Sequence, residues 1–146
     1  MPTTKILIPA EPVSQGRPRF ARIGTHVAAY DPPASKQYKA LVAQYARHQW
    51  QALPLDGAVK LRVVFYRPLQ KSLTQAQRRR RMAGWERPIV KPDLDNYFKA
   101  VTDALKGICW KNDNQIVEVY MAKRYDDGKG PRTEIEITEQ VYKKVE

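Results

Sequence analysis

Four carboxylates, Asp93, Asp95, Asp103 and Asp113, fall within 21 positions of this chain. Carboxylate oxygens are the ligands of hard divalent cations. Mg²⁺ accepts few of them and fills its other positions with water or substrate phosphate oxygens. Pro92 stands just before the first pair and biases its neighbour toward extended geometry. In an extended segment, residues two apart point the same way. Asp93 and Asp95 are therefore expected to project together and to share a cation. Helix capping competes with this reading, because Asp or Asn is a favoured N-cap. One cap accounts for Asp95 or Asn96 and leaves Asp93 unexplained, so from this segment alone both readings stand. Asp113 follows eighteen residues after Asp95. A helix of about ten residues spans roughly 15 Å, so Asp113 joins the pair only if the chain doubles back, which Gly107 permits.

Lys99 lies in the first turn of the helix expected from about Asn96 to Lys106. The positive end of the dipole disfavours a cation there. Its side chain leans toward the helix start, and hence toward the two carboxylates. A surface lysine is the plain alternative; a cation that meets a phosphate oxygen in the transition state is the functional one. Asp103 is four residues on and is read as structural, a partner for Lys99 or an acceptor behind the site.

The charge around this cluster names the partner class. The chain has 146 residues and a formal net charge of +11. Residues 1–91 hold 17 basic and 4 acidic residues, whereas residues 92–146 hold 9 basic and 11 acidic. A basic protein of this size seeks an anionic partner. Carboxylates near phosphates serve no simple DNA-coating protein, but a metal-dependent nuclease needs them because the cation sits between the two anions. No segment is long and apolar enough to span a bilayer, and no helix pairs a basic face with a bulky apolar one. The first residues lack the apolar core of a secretory signal. Cys109 is the single cysteine, so an internal disulfide and a zinc-finger ligand set are excluded. A cytoplasmic setting is expected.

The elements that must position these groups follow from periodicity. Lys5–Pro9 reads as a short first strand, and residues 10–33, rich in Pro and Gly, as irregular loop carrying Arg17, Arg19 and Arg22. Tyr38, Leu41, Val42 and Tyr45 recur at helical spacing within Ser35–Gln51. Val59, Leu61, Val63 and Phe65 alternate with polar residues as in a half-buried strand. Residues 67–91 form a long insertion with eight basic residues and one acid. Within it Ser72–Gln75 resembles a capping box. Arg78, Arg79, Arg80 and Arg81 cannot share one helix face and read as a solvated or mobile run. Tyr97, Phe98, Val101, Ala104 and Leu105 give the second helix its apolar face. Gln115–Lys123 has β character, with Val117, Val119 and Met121 on one face, and Thr133–Thr138 alternates strictly. Asp126-Asp127-Gly128 reads as a hairpin-like turn between these last two strands. The sum is a single α+β (mixed α/β) domain over residues 1–146, a curled mixed sheet with two principal helices. Residues 67–90 are its basic insertion, read as a mobile segment. Arg17, Arg19, Lys71 and Arg78–Arg81 are the phosphate-binding candidates. His26 and His48 are read as surface residues, Trp110 as packing and Cys109 as a small buried hydrophobe.

Lys91-Pro-Asp-Leu-Asp-Asn-x-x-Lys-Ala-Val-x-Asp-Ala-Leu105, then Gly107 and Trp110-x-x-Asp113-x-Gln115-Ile116, resembles the signature of RusA-type Holliday-junction resolvases. Ile8-Pro9 and Gly16-Arg-Pro-Arg19 are similar to that family's N-terminal strand and loop, so the resemblance covers most of the chain. It implies metal-binding and catalytic carboxylates at Asp93, Asp95 and Asp113 and a catalytic lysine at Lys99. Many members carry an acid where this chain has Asn112. It further implies hydrolysis of phosphodiesters at four-way DNA junctions by paired symmetric nicks, with Mg²⁺ (or Mn²⁺) as cofactor. An intertwined homodimer of bacterial or phage origin is implied too. A C2 dimer would present two equivalent sites to a junction of approximate two-fold symmetry. The rival functions are a metal-dependent nuclease of other branched DNA and a non-catalytic junction binder.

Overall fold

The structure, a computed structural model, describes residues 2–141. Strands β1 (Thr3–Ile8), β4 (Ala58–Arg67), β5 (Ile116–Tyr125) and β6 (Arg132–Gln140) form one mixed sheet; β2 (Arg19–Ile23) and β3 (His26–Tyr30) form a separate two-stranded one. Three helices, α1 (Pro33–Gln49), α2 (Gln75–Met82) and α3 (Leu94–Leu105), complete the α+β domain. The order of the larger sheet is β1-β6-β4-β5. β6 runs antiparallel to both β1 and β4, and β5 runs parallel to β4.

Alternation in β4 and β6 decides which side of the sheet meets the helices. Val59, Leu61, Val63 and Phe65 join Ile6, Ile8, Ile135 and Ile137 in one core with Tyr38, Val42 and Ala46 of α1 and Tyr97, Val101 and Leu105 of α3. Phe65 and Tyr97 stack with ring centroids 5.1 Å apart. The Tyr38 hydroxyl is hydrogen-bonded to the Thr133 hydroxyl at 2.9 Å, which satisfies two buried polar groups. Burial pushes the Tyr38 phenol up to about 12. Burial likewise raises the Cys109 thiol to about 12, as fits a small buried hydrophobe rather than a nucleophile.

Several local readings are corrected. Residues 10–33 are not all loop: Arg19–Tyr30 folds back as the β2–β3 hairpin. Gly24, at a φ of +61°, supplies the left-handed turn that most residues avoid. Composition hid this hairpin because its pairing needs no buried face. The capping box is made by Thr74 and Gln77, two residues beyond Ser72, and it opens α2. Arg78–Arg81 are helical and distributed around α2. Arg81 turns inward, donating to Glu86 at 3.1 Å and stacking over Tyr125 at 4.5 Å.

Asp126-Asp127-Gly128 does not close a hairpin. β5 and β6 are separated by β4, so residues 126–131 arch over the end of that strand. The arch is fixed by Asp126, whose carboxylate accepts from the N–H groups of Gly128 and Gly130. Asp127 in turn pairs with the buried Arg132 at 2.9 Å. Val117 and Val119 share one face of β5, an edge strand, and are exposed there.

Phe65 is fully buried against Tyr97, so truncating it removes contacts on both the sheet and α3. Phe65→Ala is expected to cost about 3–5 kcal/mol, read as a lower denaturant midpoint in equilibrium unfolding. A loss under about 1 kcal/mol would show that Phe65 does not join the two layers.

Candidate active site

The chain enters α3 through a fixed loop. Lys123, on β5, donates to the backbone carbonyls of Val90 at 2.9 Å and Pro92 at 3.0 Å. The Lys91–Pro92 peptide is cis. Asp93 is the N-cap residue of α3 with extended backbone angles, though its side chain makes no capping hydrogen bond. The helix begins at Leu94, earlier than expected, so Asp95 lies within its first turn. The two carboxylates therefore do not project from one extended segment. They flank the helix start as exposed groups, where the dipole favours negative charge.

A second loop closes on the same place. The Gln15 N–H donates to the Asn96 carbonyl at 2.9 Å, and the Gly16 N–H donates to Ser35 Oγ at 2.8 Å. A Cβ on Gly16 would stand 2.8 Å from Pro32 Cγ, so this approach needs glycine. Beside it Arg17, Lys91, Pro92, Asp93 and Asn96 line a hollow of about 250 Å³. One arginine, one lysine and one carboxylate thus share a surface concavity at the start of α3.

Lys99 is exposed, one turn beyond Asp95 on the same side of the helix. Its expected pairing with Asp103 is not formed. Asp103 instead accepts from Lys39 of α1 at 3.1 Å, and Lys39 also donates to Asp31 at 3.0 Å. Hydrogen bonds from Lys39 and Gln15 hold the Asp31 carboxyl below its usual value of 3.8. Burial pulls the Lys39 ammonium down, but Asp31 and Asp103 outweigh it and the group is raised. Asp103 is structural, as read, but its work is to fasten α1 to α3.

Asp113 sits elsewhere. After α3, Gly107 takes a φ of +84° and its N–H donates to the Trp110 carbonyl at 2.7 Å. Trp110 is fully buried and bridges both Lys106 and Leu55. Its indole N–H donates to Asp113 Oδ1 at 2.9 Å. Gln115 braces the same turn: its oxygen accepts from the N–H groups of Lys111 and Asn112, and its amide donates to the carbonyls of Leu55 and Gly57. The Trp-x-x-Asp-x-Gln spacing is thereby explained as a built support for Asp113. That support stands at the far end of α3 from Asp93. β5, not Asp113, runs back along the helix, with Ile116 beside Val59 and Lys123 beside Phe65. Twelve helical residues span roughly 18 Å. Among the described residues no three His, Cys, Asp or Glu side chains are grouped so as to hold a metal ion. One chain brings Asp93 and Asp95 to the same helix end and leaves Asp113 apart.

The basic residues divide. Arg17 lines the hollow, Arg19 lies on β2, and Lys71, Arg79 and Arg80 are exposed. Arg80 comes within 3.8 Å of Glu86. Arg78 is half-buried, with an Nη group 3.5 Å from the Gln70 carbonyl. Arg81 is spent on Glu86 and Tyr125. His26 and His48 are exposed. Lys123, Lys39 and Gln15 were not legible as site supports.

The match to known families decides what this arrangement belongs to. Residues 9–138 match the model of the endodeoxyribonuclease RusA family. The chain belongs to the RusA family. It is accordingly an endodeoxyribonuclease, a hydrolase acting on DNA. An uncharacterized Bacillus subtilis protein, YqaN, is 38% identical over 141 residues, covering 95% of this chain and 98% of the relative. The crossover junction endodeoxyribonuclease RusA of Escherichia coli is 32% identical over 140 residues, covering 95% and 97% respectively. Among the described residues no helix is long and apolar enough to cross a membrane.

The Lys39 bridge gives a test of how the RusA-like scaffold fastens α1 to α3. Because Asp31 is lowered in the fold, its contribution is complete above pH 3.8 and fades as pH falls through the folded value. Lys39→Met should shrink that acid-side step, leaving the part due to Gln15, and lower stability by about 1 kcal/mol or less, since the pair is partly solvated. Denaturant unfolding at pH 3 and pH 6 checks it; an unchanged difference between the two pH values would remove the bridge from the account.

Proposed function

We propose that this chain resolves four-way DNA junctions by paired symmetric nicks, as a two-fold homodimer that depends on a divalent cation, Mg²⁺ with Mn²⁺ able to replace it. The observation that carries this reading is the pair Asp93 and Asp95 at the start of α3, beside Arg17 and Lys91, in a chain of net charge +11. Similarity to a crossover junction endodeoxyribonuclease along nearly its whole length supports the substrate.

The donor set suits a hard cation, since carboxylate oxygens at an exposed helix start leave room for water and phosphate oxygens. Asp93, Asp95 and Asp113 would hold it. When bound, it supplies an activated water and relieves charge on the scissile phosphate. Arg17 and Lys91 orient the incoming strand along the hollow, and Lys123 keeps the Pro92 carbonyl in place beneath Asp93. Lys99 offers its ammonium to a phosphate oxygen as charge develops.

The separation of Asp113 supports a site shared between subunits. The first half of β5, Ile116–Tyr120, is an edge with Val117 56% and Val119 39% exposed. Antiparallel pairing of two such edges across a two-fold axis would set the start of one strand beside the end of its mate. Asp113 of the partner subunit would then approach the loop that Lys123 holds. Two shared sites on one two-fold axis suit the symmetry of a four-way junction.

Cleavage of a synthetic four-way junction in Mg²⁺, and none in EDTA, is expected. Asp93→Asn, Asp95→Asn and Asp113→Asn should each abolish cutting while junction binding survives. Mixing Asp93→Asn with Asp113→Asn protomers should restore one nick per mixed dimer, because one of its two shared sites is intact. A mixture that stays inactive would place all three carboxylates in one chain. Separately, Lys99→Ala should lower single-turnover cleavage by about 10²–10³ with junction affinity and melting temperature nearly unchanged. Full activity in that variant would take Lys99 out of the mechanism.

A further inference from the structure

Among the described residues the β2–β3 hairpin is joined to no other strand, and its apolar side chains are not used by the core. Phe20 is 70% exposed, Ile23 63% and Val27 67%. Two-stranded hairpins are marginal in water on their own, and exposed apolar residues gathered on one element mark a binding surface. Strand alternation puts Phe20, Arg22 and Val27 on one face and Arg19, Ile23 and His26 on the other. No acidic residue lies between Glu11 and Asp31, so the only formal charges on the element are positive. Its foot is fixed: Gln15 and Gly16 tie it to α3 and α1, and Arg17 lines the hollow that holds Asp93.

We propose that this hairpin is a DNA-engaging finger, with Arg19 and Arg22 on backbone phosphates and Phe20 stacked on a base opened at the branch point. The proposal rests on the reading of the chain as a junction endonuclease. Five residues of strand reach roughly 17 Å, so DNA whose phosphate lies at Asp93 passes along the hairpin within a few nucleotides. Charge complementarity points to nucleic acid, because the hairpin carries Arg19 and Arg22 and no acid in a chain of net charge +11. An apolar or aromatic side chain inserted at an unstacked step is the usual companion of such phosphate contacts. A branch point, where stacking is interrupted, offers that step at least expense; a continuous duplex does not.

The test compares binding of the full chain to a synthetic four-way junction and to a linear duplex of equal length, in EDTA, with intact strands verified on the same samples. Phe20→Ala should weaken junction binding roughly tenfold and leave duplex binding within about twofold. Phe20→Trp, which keeps a stacking face, should restore it. Arg19→Gln with Arg22→Gln should weaken both and flatten the salt dependence, since phosphate contacts act through counterion release. An unchanged junction-to-duplex ratio in Phe20→Ala overturns the stacking role. A shift of Phe20→Ala from dimer to monomer without DNA overturns it too, by showing that the hairpin docks on a second copy. Wild-type protein that neither binds nor cuts the junction removes the functional reading and the finger together, whereas a wild type that cuts beside an unaffected variant removes the finger alone.

Discussion

The parallel pairing of β4 with β5 is the constraint from which the site geometry follows. Parallel neighbours cannot be joined by a tight turn, so the chain leaving β4 must travel back to where that strand began. α3 makes this return, antiparallel to both strands and packed through Tyr97 on Phe65. Its first residues therefore lie at the finish of β4, and whatever follows it lies at the start. Asp93 and Asp95 fall on one side of that journey and Asp113 on the other. The division of the carboxylates is a consequence of topology rather than of loop detail.

Each carboxylate position has its own rigid support. Lys123 and the Gln15–Asn96 contact hold the loop before α3, and Trp110 with Gln115 holds the turn that carries Asp113. These supports come from β5, the N-terminal loop and the segment preceding β4, so three distant parts of the sequence cooperate on a few acidic side chains. Charge is managed locally: the acids sit where a helix dipole or an indole N–H meets them, while the surrounding chain stays basic.

Most of the elements were legible because their patterns are strong. The spacing of Tyr38, Val42 and Tyr45, the alternation from Val59 to Phe65 and that from Thr133 to Thr138 each reflect one buried face. The candidate acids stood out through a spacing similar to that of a known family. Other features left no local signal. The β2–β3 hairpin has no buried side to impose alternation, and the partner of Asp103 proved to be Lys39, 64 positions away, rather than the near neighbour Lys99. Local periodicity also could not tell a hairpin from an arch over an intervening strand, which is why Asp126-Asp127-Gly128 was read as joining neighbours. The start of α3 at Leu94 shows the same limit, since Pro92 restricts the residue before it and says little about the one after.

The sheet order carries a consequence for how the molecule comes into being. β1, the first of the described strands, pairs with β6, the last of them, with Thr3 opposite Thr138. β4 likewise waits for β6 along its whole length. During translation the sheet has no closed form until β6 has left the ribosome, and the helices have no complete surface to cover. Contacts of such long sequence separation make folding slow, and until they form the apolar faces of β1 and β4 stand open to solvent and to neighbouring chains. The high positive charge that draws this protein to DNA also keeps its unfinished chains apart.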